Sequence, residues 1–162
     1  MSTAHTLPPS TAEPGRDRAA PIEAARISFR QPVSGFGFID AAWWPRSRDL
    51  TAELPPLLDV LWTAARQITR VTYNLAAWEP APRRMRADGR LVRLGGFITS
   101  DPVTIRLSDS AGVERIDVLV IAPGTDPAVA ERALMLASQP DCPYRAEEIL
   151  TRAGNPGTSA PA

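Results

Sequence analysis

The stretch Asp40-Ala-Ala-Trp-Trp-Pro-Arg-Ser-Arg-Asp49 gathers two indole rings, two guanidinium groups and two carboxylates within ten residues. Pro45 disfavours the α region for Trp44, so the tryptophan pair is extended or in a turn. Consecutive side chains of an extended chain point in opposite directions, so one ring can enter a core while the other stays near the surface. Two kinds of chemistry follow. In the first, a buried tryptophan staples the loop and Arg46 or Arg48 pairs with Asp40, Asp49 or Glu53. In the second, an exposed ring beside guanidinium forks at the start of a helix holds a carboxylate or phosphate. Such a ring also stacks on a base or a flat ligand, and tryptophan with arginine is the enriched pairing of protein–protein hot spots. The candidate ligand-binding residues are therefore Trp43, Trp44, Arg46, Ser47, Arg48 and Asp49, with a small anionic ligand or a protein as partner.

Other chemistries are poorly supplied. The only histidine, His5, lies in a proline-rich stretch without large apolar residues, so no ordered Ser-His-Asp or Cys-His arrangement can be built and no catalytic residue is assigned. The single cysteine, Cys142, permits no internal disulfide and reads as structural. Asp40, Asp49 and Glu53 could serve as paired acids in a small carboxylate-dependent enzyme, but their spacing matches no metal-ligand signature and no metal is expected. Gly35-Phe-Gly37 and Gly95-Gly96 are too short, and wrongly placed, for a phosphate-cradling loop, so no cofactor is expected. Arg83, Arg84, Arg86, Arg90 and Arg93, with Arg70 and Trp78 upstream, give a basic run with aromatic interleaving. A weak nucleic-acid binder is the alternative they suggest, provided they share one face. Against it, 18 basic and 18 acidic residues leave the chain neutral, and nucleic acid is the disfavoured partner.

The elements that must position these residues follow from periodicity. Ile27 and Phe29 alternate with polar neighbours over 25–30, and a short strand or bulged extension is expected over 35–38 with Phe36 and Phe38 on one face. Leu50, Leu54, Leu57, Leu58 and Leu61 make a helical stripe over 50–66, although Pro55 and Pro56 place the regular start near 55. Strands are expected over 68–75, 90–98, 103–107 and 115–121. The stretch 79–89 is a loop or a hairpin arm ending in an Asp88-Gly89 turn. Asp126 and Pro127 open a second helix that runs to about 138.

Composition bounds the rest. The chain has 162 residues and 44% hydrophobic side chains, enough for one core. Residues 1–22 and 151–162 have nothing to bury and are expected as disordered tails around a single domain over 23–150. No secretory signal pattern and no run of about 18 apolar residues is present, which leaves no membrane span and a cytoplasmic location. Residues 66–106 carry eight arginines against three acids, and residues 107–148 three against eight. Those opposite excesses can meet as cross-strand pairs or orient a partner. Short turns between strands favour an α+β fold: an antiparallel sheet of five or six strands with two helices packed on one face, and an arginine-, threonine- and asparagine-bearing face left wet or facing a partner. An edge strand or that wet face leaves a homodimer open.

The segments FIDAAWWPRSRDLTAELPPLLDVL, ITRVTYNLAAW and GRLVRLGGF resemble an actinobacterial family of small proteins classed only as a domain of unknown function. Its members carry Asp-Gly-Ala-Trp-Trp-Pro-Arg-Ser before a Glu-Leu-Pro helix, and the resemblance implies one domain over roughly 25–138. It brings no activity with it. Ala41 stands where that family usually shows glycine, so a positive-φ turn there would need a different local backbone. The preferred reading is an uncharacterised, non-catalytic binding or regulatory protein that works through residues 43–49.

Overall fold

The computed structural model describes residues 25–30, 39–140 and 142–154. Among these residues the elements are β1 (Ile27–Phe29), β2 (Ala41–Trp43), α1 (Leu50–Thr63), β3 (Arg70–Asn74), β4 (Arg84–Ala87), β5 (Arg90–Phe97), β6 (Thr104–Ser108), β7 (Arg115–Val120), α2 (Pro127–Ser138) and α3 (Ala146–Gly154). The strands form a seven-stranded sheet in the order β1-β2-β7-β6-β3-β5-β4. β2 runs parallel to β7 and β3 parallel to β5, while the remaining neighbours are antiparallel.

The α+β class holds, but the antiparallel sheet of five or six strands with two helices is corrected, among the described residues, to a mixed sheet of seven strands with three helices. Two connections that skip neighbours cause the difference. α1 carries the chain from β2 past β7 and β6 to β3, and residues 75–83 carry it across β5 to the sheet edge, where β4 pairs back. The stretch left open between loop and hairpin arm is the arm. Asp88 and Gly89 have φ of 48° and 73°, the two positive values that a two-residue type I′ hairpin turn needs. The short strand expected over 35–38 and the tail over 1–22 lie outside the described residues. α3 takes residues 151–154, which composition assigns to the other tail; the rest of that tail is also outside the described residues.

α1 begins at Leu50 rather than near residue 55, because Asp49 caps it. The Asp49 carboxylate accepts the backbone N–H groups of Thr51 and Ala52 at 3.1 and 3.3 Å. Leu50 and Leu54 are completely buried in the turn before the prolines, so the helix keeps that turn although Pro55 and Pro56 each remove a backbone donor. The other end closes in a Schellman arrangement. Ala65 N–H donates to the Trp62 carbonyl (3.0 Å) and Arg66 N–H to that of Leu61 (2.9 Å). Ala65 occupies the left-handed position at φ 61°, where glycine is free of the Cβ clash. Ala65→Gly is therefore expected to raise stability by about 0.5–1 kcal/mol in chemical denaturation, with no change in denaturant slope.

Strand alternation sorts the interior into two clusters. Trp43, Val71, Tyr73, Val92, Leu94, Ile105, Leu107 and Val118 face α1, with Leu50, Leu54, Leu57, Leu58 and Leu61 of that helix. Ala42 and Leu119 point the opposite way, onto Ala130, Ala133 and Ala137 of α2 and Ala146, Ile149 and Ala153 of α3. Each face of the sheet thus carries its own helices. The alanine stripe of α2 lets the α2–α3 pair sit close on β1 and β2. Across β6, β3, β5 and β4 no described helix covers the α2–α3 side of the sheet, and Arg70, Arg84, Arg93 and Arg106 are exposed on it.

β2, β7, β3 and β5 all run in one direction, so their carboxyl ends lie along one edge of the sheet. From the adjacent parallel strands β2 and β7 the chain departs to opposite faces, into α1 and α2 respectively. Such a divergence of connections is where open sheets containing parallel strands form a crevice.

Candidate functional site

The crevice is present. A cleft of about 540 Å³ lies outside the carboxyl ends of β2, β7 and β3. Pro45, Ser47 and Arg48 after β2 form one wall, and Ala76, Ala77 and Trp78 after β3 form the next. Ala122, Pro123 and Thr125 after β7, with Val129 of α2 and Leu150 of α3, close the far side, and Pro102 and Val103 complete it. The lining is mainly aliphatic, and Arg48 is its one charged side chain among the described residues. Apolar walls with a few convergent polar groups are the usual make-up of a small-molecule site.

The residues singled out from sequence divide between support and wall. Trp43 is completely buried on the α1 face and stacks on Trp78, with ring centroids 5.5 Å apart and planes 20° apart. Offset stacking of this kind adds about 0.5–1.5 kcal/mol beyond the area buried. Trp44 points the other way, half-buried against the α2–α3 cluster. Its ring carries the Arg26 guanidinium at 3.7 Å. Arg26 also donates to the carbonyls of Trp44 (2.9 Å) and Pro45 (3.1 Å), so it clamps the turn and covers the ring that the sequence offered as a stacking platform.

Ser47 and Asp49 hold the loop. Ser47 Oγ donates to Glu53 Oε1 at 2.9 Å, the Arg46 backbone N–H donates to Glu53 Oε2 at 3.1 Å, and Asp49 caps α1. Arg46 and Arg48 are exposed. Arg48 ties the two loops together, its Nη1 donating to the Ala77 carbonyl at 3.3 Å while its own carbonyl accepts Glu79 N–H at 3.0 Å. Of the six candidates, Ser47 and Arg48 line the cleft alongside Pro45, whereas Trp43 and Asp49 brace it from behind.

The three carboxylates named as possible acid/base groups line no part of the cleft. Asp40 takes the backbone N–H of Asp117 at 2.9 Å and sits 3.4 Å from the buried Arg30 guanidinium, which fastens β1, β2 and β7 together. Glu53 and Asp49 are engaged in the loop and the cap. Cys142 is buried in the α2–α3 cluster, and His5 lies outside the described residues. Among the described residues no group of three or more His, Cys, Asp or Glu side chains is placed to hold a metal ion, and no helix is long and apolar enough to cross a membrane.

Sequence reasoning passed over two residues that matter to this site. Sequence patterning offers Trp78 only as the aromatic upstream of the basic run, and Asn74 only as part of the face expected to be wet. Asn74 is buried, its Oδ1 accepting the N–H groups of Ala76 (2.8 Å) and Ala77 (3.2 Å) and its Nδ2 donating to the carbonyls of Ile98 and Ser100. It shapes the turn that presents Trp78. The signal available was an asparagine at a strand end followed by Leu-Ala-Ala, a local side-chain-to-backbone turn.

Residues 26–137, more than two thirds of the chain, match a family of unknown function, DUF5994. The chain belongs to that family. Searches of curated proteins and of solved structures found no match to this DUF5994 chain. The matched region spans β1 to the end of α2 and so includes every cleft residue except Leu150 of α3. Ala41, the position of the expected glycine, lies buried in β2 and is not among the described residues with positive φ, so alanine fits there without strain.

Proposed function

We propose that this DUF5994 domain is a non-catalytic binding or regulatory protein whose cleft takes a small ligand with a flat apolar body and one anionic group. The observation that carries this reading is the position of the cleft at the divergence of β2 and β7, with Arg48 as its one charged wall residue among the described residues. The apolar body lies between Pro45, Val129 and Trp78, and the anion meets the Arg48 guanidinium at the rim, with the Ser47 and Thr125 hydroxyls nearby. Charge-assisted contacts of this kind contribute about 1.5–3 kcal/mol when shielded from solvent. The cytoplasmic location belongs to the same reading, as does a single domain, which α3 carries to Gly154 rather than to residue 150.

A suitable probe is 8-anilinonaphthalene-1-sulfonate, a flat aromatic body with one anionic group. Titrated into the full chain, it is expected to bind saturably at one site, and Arg48→Ala is expected to weaken that binding about tenfold. Because Arg48 is exposed, the variant should unfold within about 0.5 kcal/mol of wild type. Binding at many weak sites, or one-site binding indifferent to Arg48, contradicts the reading.

A further inference from the structure

Among the described residues the α2–α3 side of the sheet is open at its β6, β3, β5 and β4 end, and the strand register concentrates charge there. Arg70 of β3 stands directly opposite Arg93 of β5, and Arg93 directly opposite Arg84 of β4. Their neighbours Val71, Val92 and Met85 face α1, so alternation turns all three arginines onto the open face, where they are exposed. Neighbouring strands lie about 4.8 Å apart, which sets three guanidinium stems in one row. Among the described residues none of the three has a carboxylate partner, whereas Arg106 on the same face is held by Asp117 at 2.8 Å. Like charges directly opposite one another destabilise a sheet, so the row is relieved by a bound anion.

An aromatic platform adjoins it. Along β5 the same face continues from Arg93 to Gly95 and Phe97. The Phe97 ring is 53% exposed and leans over Gly95, where an added Cβ would come within 3.3 Å of it. A concavity of about 650 Å³ joins Arg70, Arg84 and Arg93 to Gly95 and Phe97.

We infer that the Arg70–Arg93–Arg84 row across β3, β5 and β4, with Phe97 beside it, binds single-stranded nucleic acid, phosphates on the arginines and a base on the phenyl ring. A positively charged track beside an exposed ring on a sheet is the arrangement that single strands use, because their unpaired bases can stack. The neutral total charge conceals this feature, since the acids that balance the chain lie elsewhere in the sequence. The site is separate from the cleft and stands or falls independently of it.

The test is fluorescence anisotropy of a labelled oligothymidylate of about 12 nucleotides with the full chain. Three phosphate contacts give a slope of log K against log salt of about −2, so affinity falls about twentyfold between 50 and 200 mM salt. Combined Arg70→Gln, Arg84→Gln and Arg93→Gln should bring the slope close to zero and melt no lower than wild type, because the cross-strand repulsion is gone. The matching triple lysine variant should keep the slope. Phe97→Ala should weaken binding about tenfold with the slope unchanged, and a duplex of equal length should bind more weakly than the single strand. No saturable binding at 50 mM salt overturns the proposal, as does binding indifferent to the triple glutamine variant. A Phe97→Ala variant with unaltered affinity also overturns it, because the row is then a site for any anion.

Discussion

Trp43→Ala is expected to destabilise the domain by about 3–5 kcal/mol, a large share of the 5–15 kcal/mol that holds a typical domain folded. Trp43 is 1% exposed and forms part of the floor between β2 and α1. Its removal deletes a large apolar side chain, leaves a cavity and takes away the ring on which Trp78 stacks at 5.5 Å. The neighbouring tryptophan provides an internal control. Trp44 Nε1 is buried and finds no acceptor among the described residues, so the indole N–H brings an unsatisfied donor rather than a bond. Trp44→Phe retains the apolar body under Arg26 and should cost less than about 1 kcal/mol. Urea denaturation of the two variants beside wild type checks both values. Equal losses would mean that the two rings do not divide between floor and flank as described.

The second large effect is expected at Asn74. Asn74→Ala withdraws one side chain from two backbone donors and two backbone acceptors, and should cost about 2–3 kcal/mol. The orientation of the amide is fixed by those partners, because Oδ1 faces two N–H groups and Nδ2 faces two carbonyls. Asn74→Asp preserves the shape and the acceptor, but sets a carboxylate oxygen against the Ile98 and Ser100 carbonyls. It is therefore expected to lose at least as much stability at neutral pH as the alanine variant. Both substitutions loosen the turn over 75–78, so both should weaken probe binding in the cleft. Denaturation gives the first quantity and probe titration the second.

Much of the architecture was legible because it is local. Val71 and Tyr73, Val92 and Leu94, Ile105 and Leu107 alternate with polar residues, and each pair lies on the α1 face. Asp88-Gly89 specifies its own hairpin turn, and Asp126-Pro127 its own helix start. Parallel pairing of β2 with β7, and of β3 with β5, was not legible, since it depends on where α1 and residues 75–83 deliver the chain. β4 was legible only as one of two readings of 79–89, because prolines and arginines that suit an edge strand suit a loop equally. α3 was missed because Ala146, Ile149 and Ala153 make a narrow stripe on a short polar helix.

The candidate site was legible to the same extent. Alternation between Trp43 and Trp44, held extended by Pro45, separated one buried tryptophan from one nearer the surface. The stacking partner Trp78, the turn that Asn74 shapes and the far wall at Thr125 and Val129 all come from other elements, and only the fold unites them. The same holds for Arg70, Arg84 and Arg93. Their sequence run suggested a basic hairpin, but the parallel β3–β5 pairing aligns them across three strands.

The most direct test of the cleft is to follow backbone amide resonances of the full-length, isotope-labelled chain as 8-anilinonaphthalene-1-sulfonate is added. Ala77, Trp78, Val103, Ala122 and Thr125 come from three separate connections and meet only at the cleft, so their resonances should shift together along one saturation curve. Shifts confined to Arg93–Phe97, or scattered over the surface without saturation, would contradict a ligand site where β2 and β7 part.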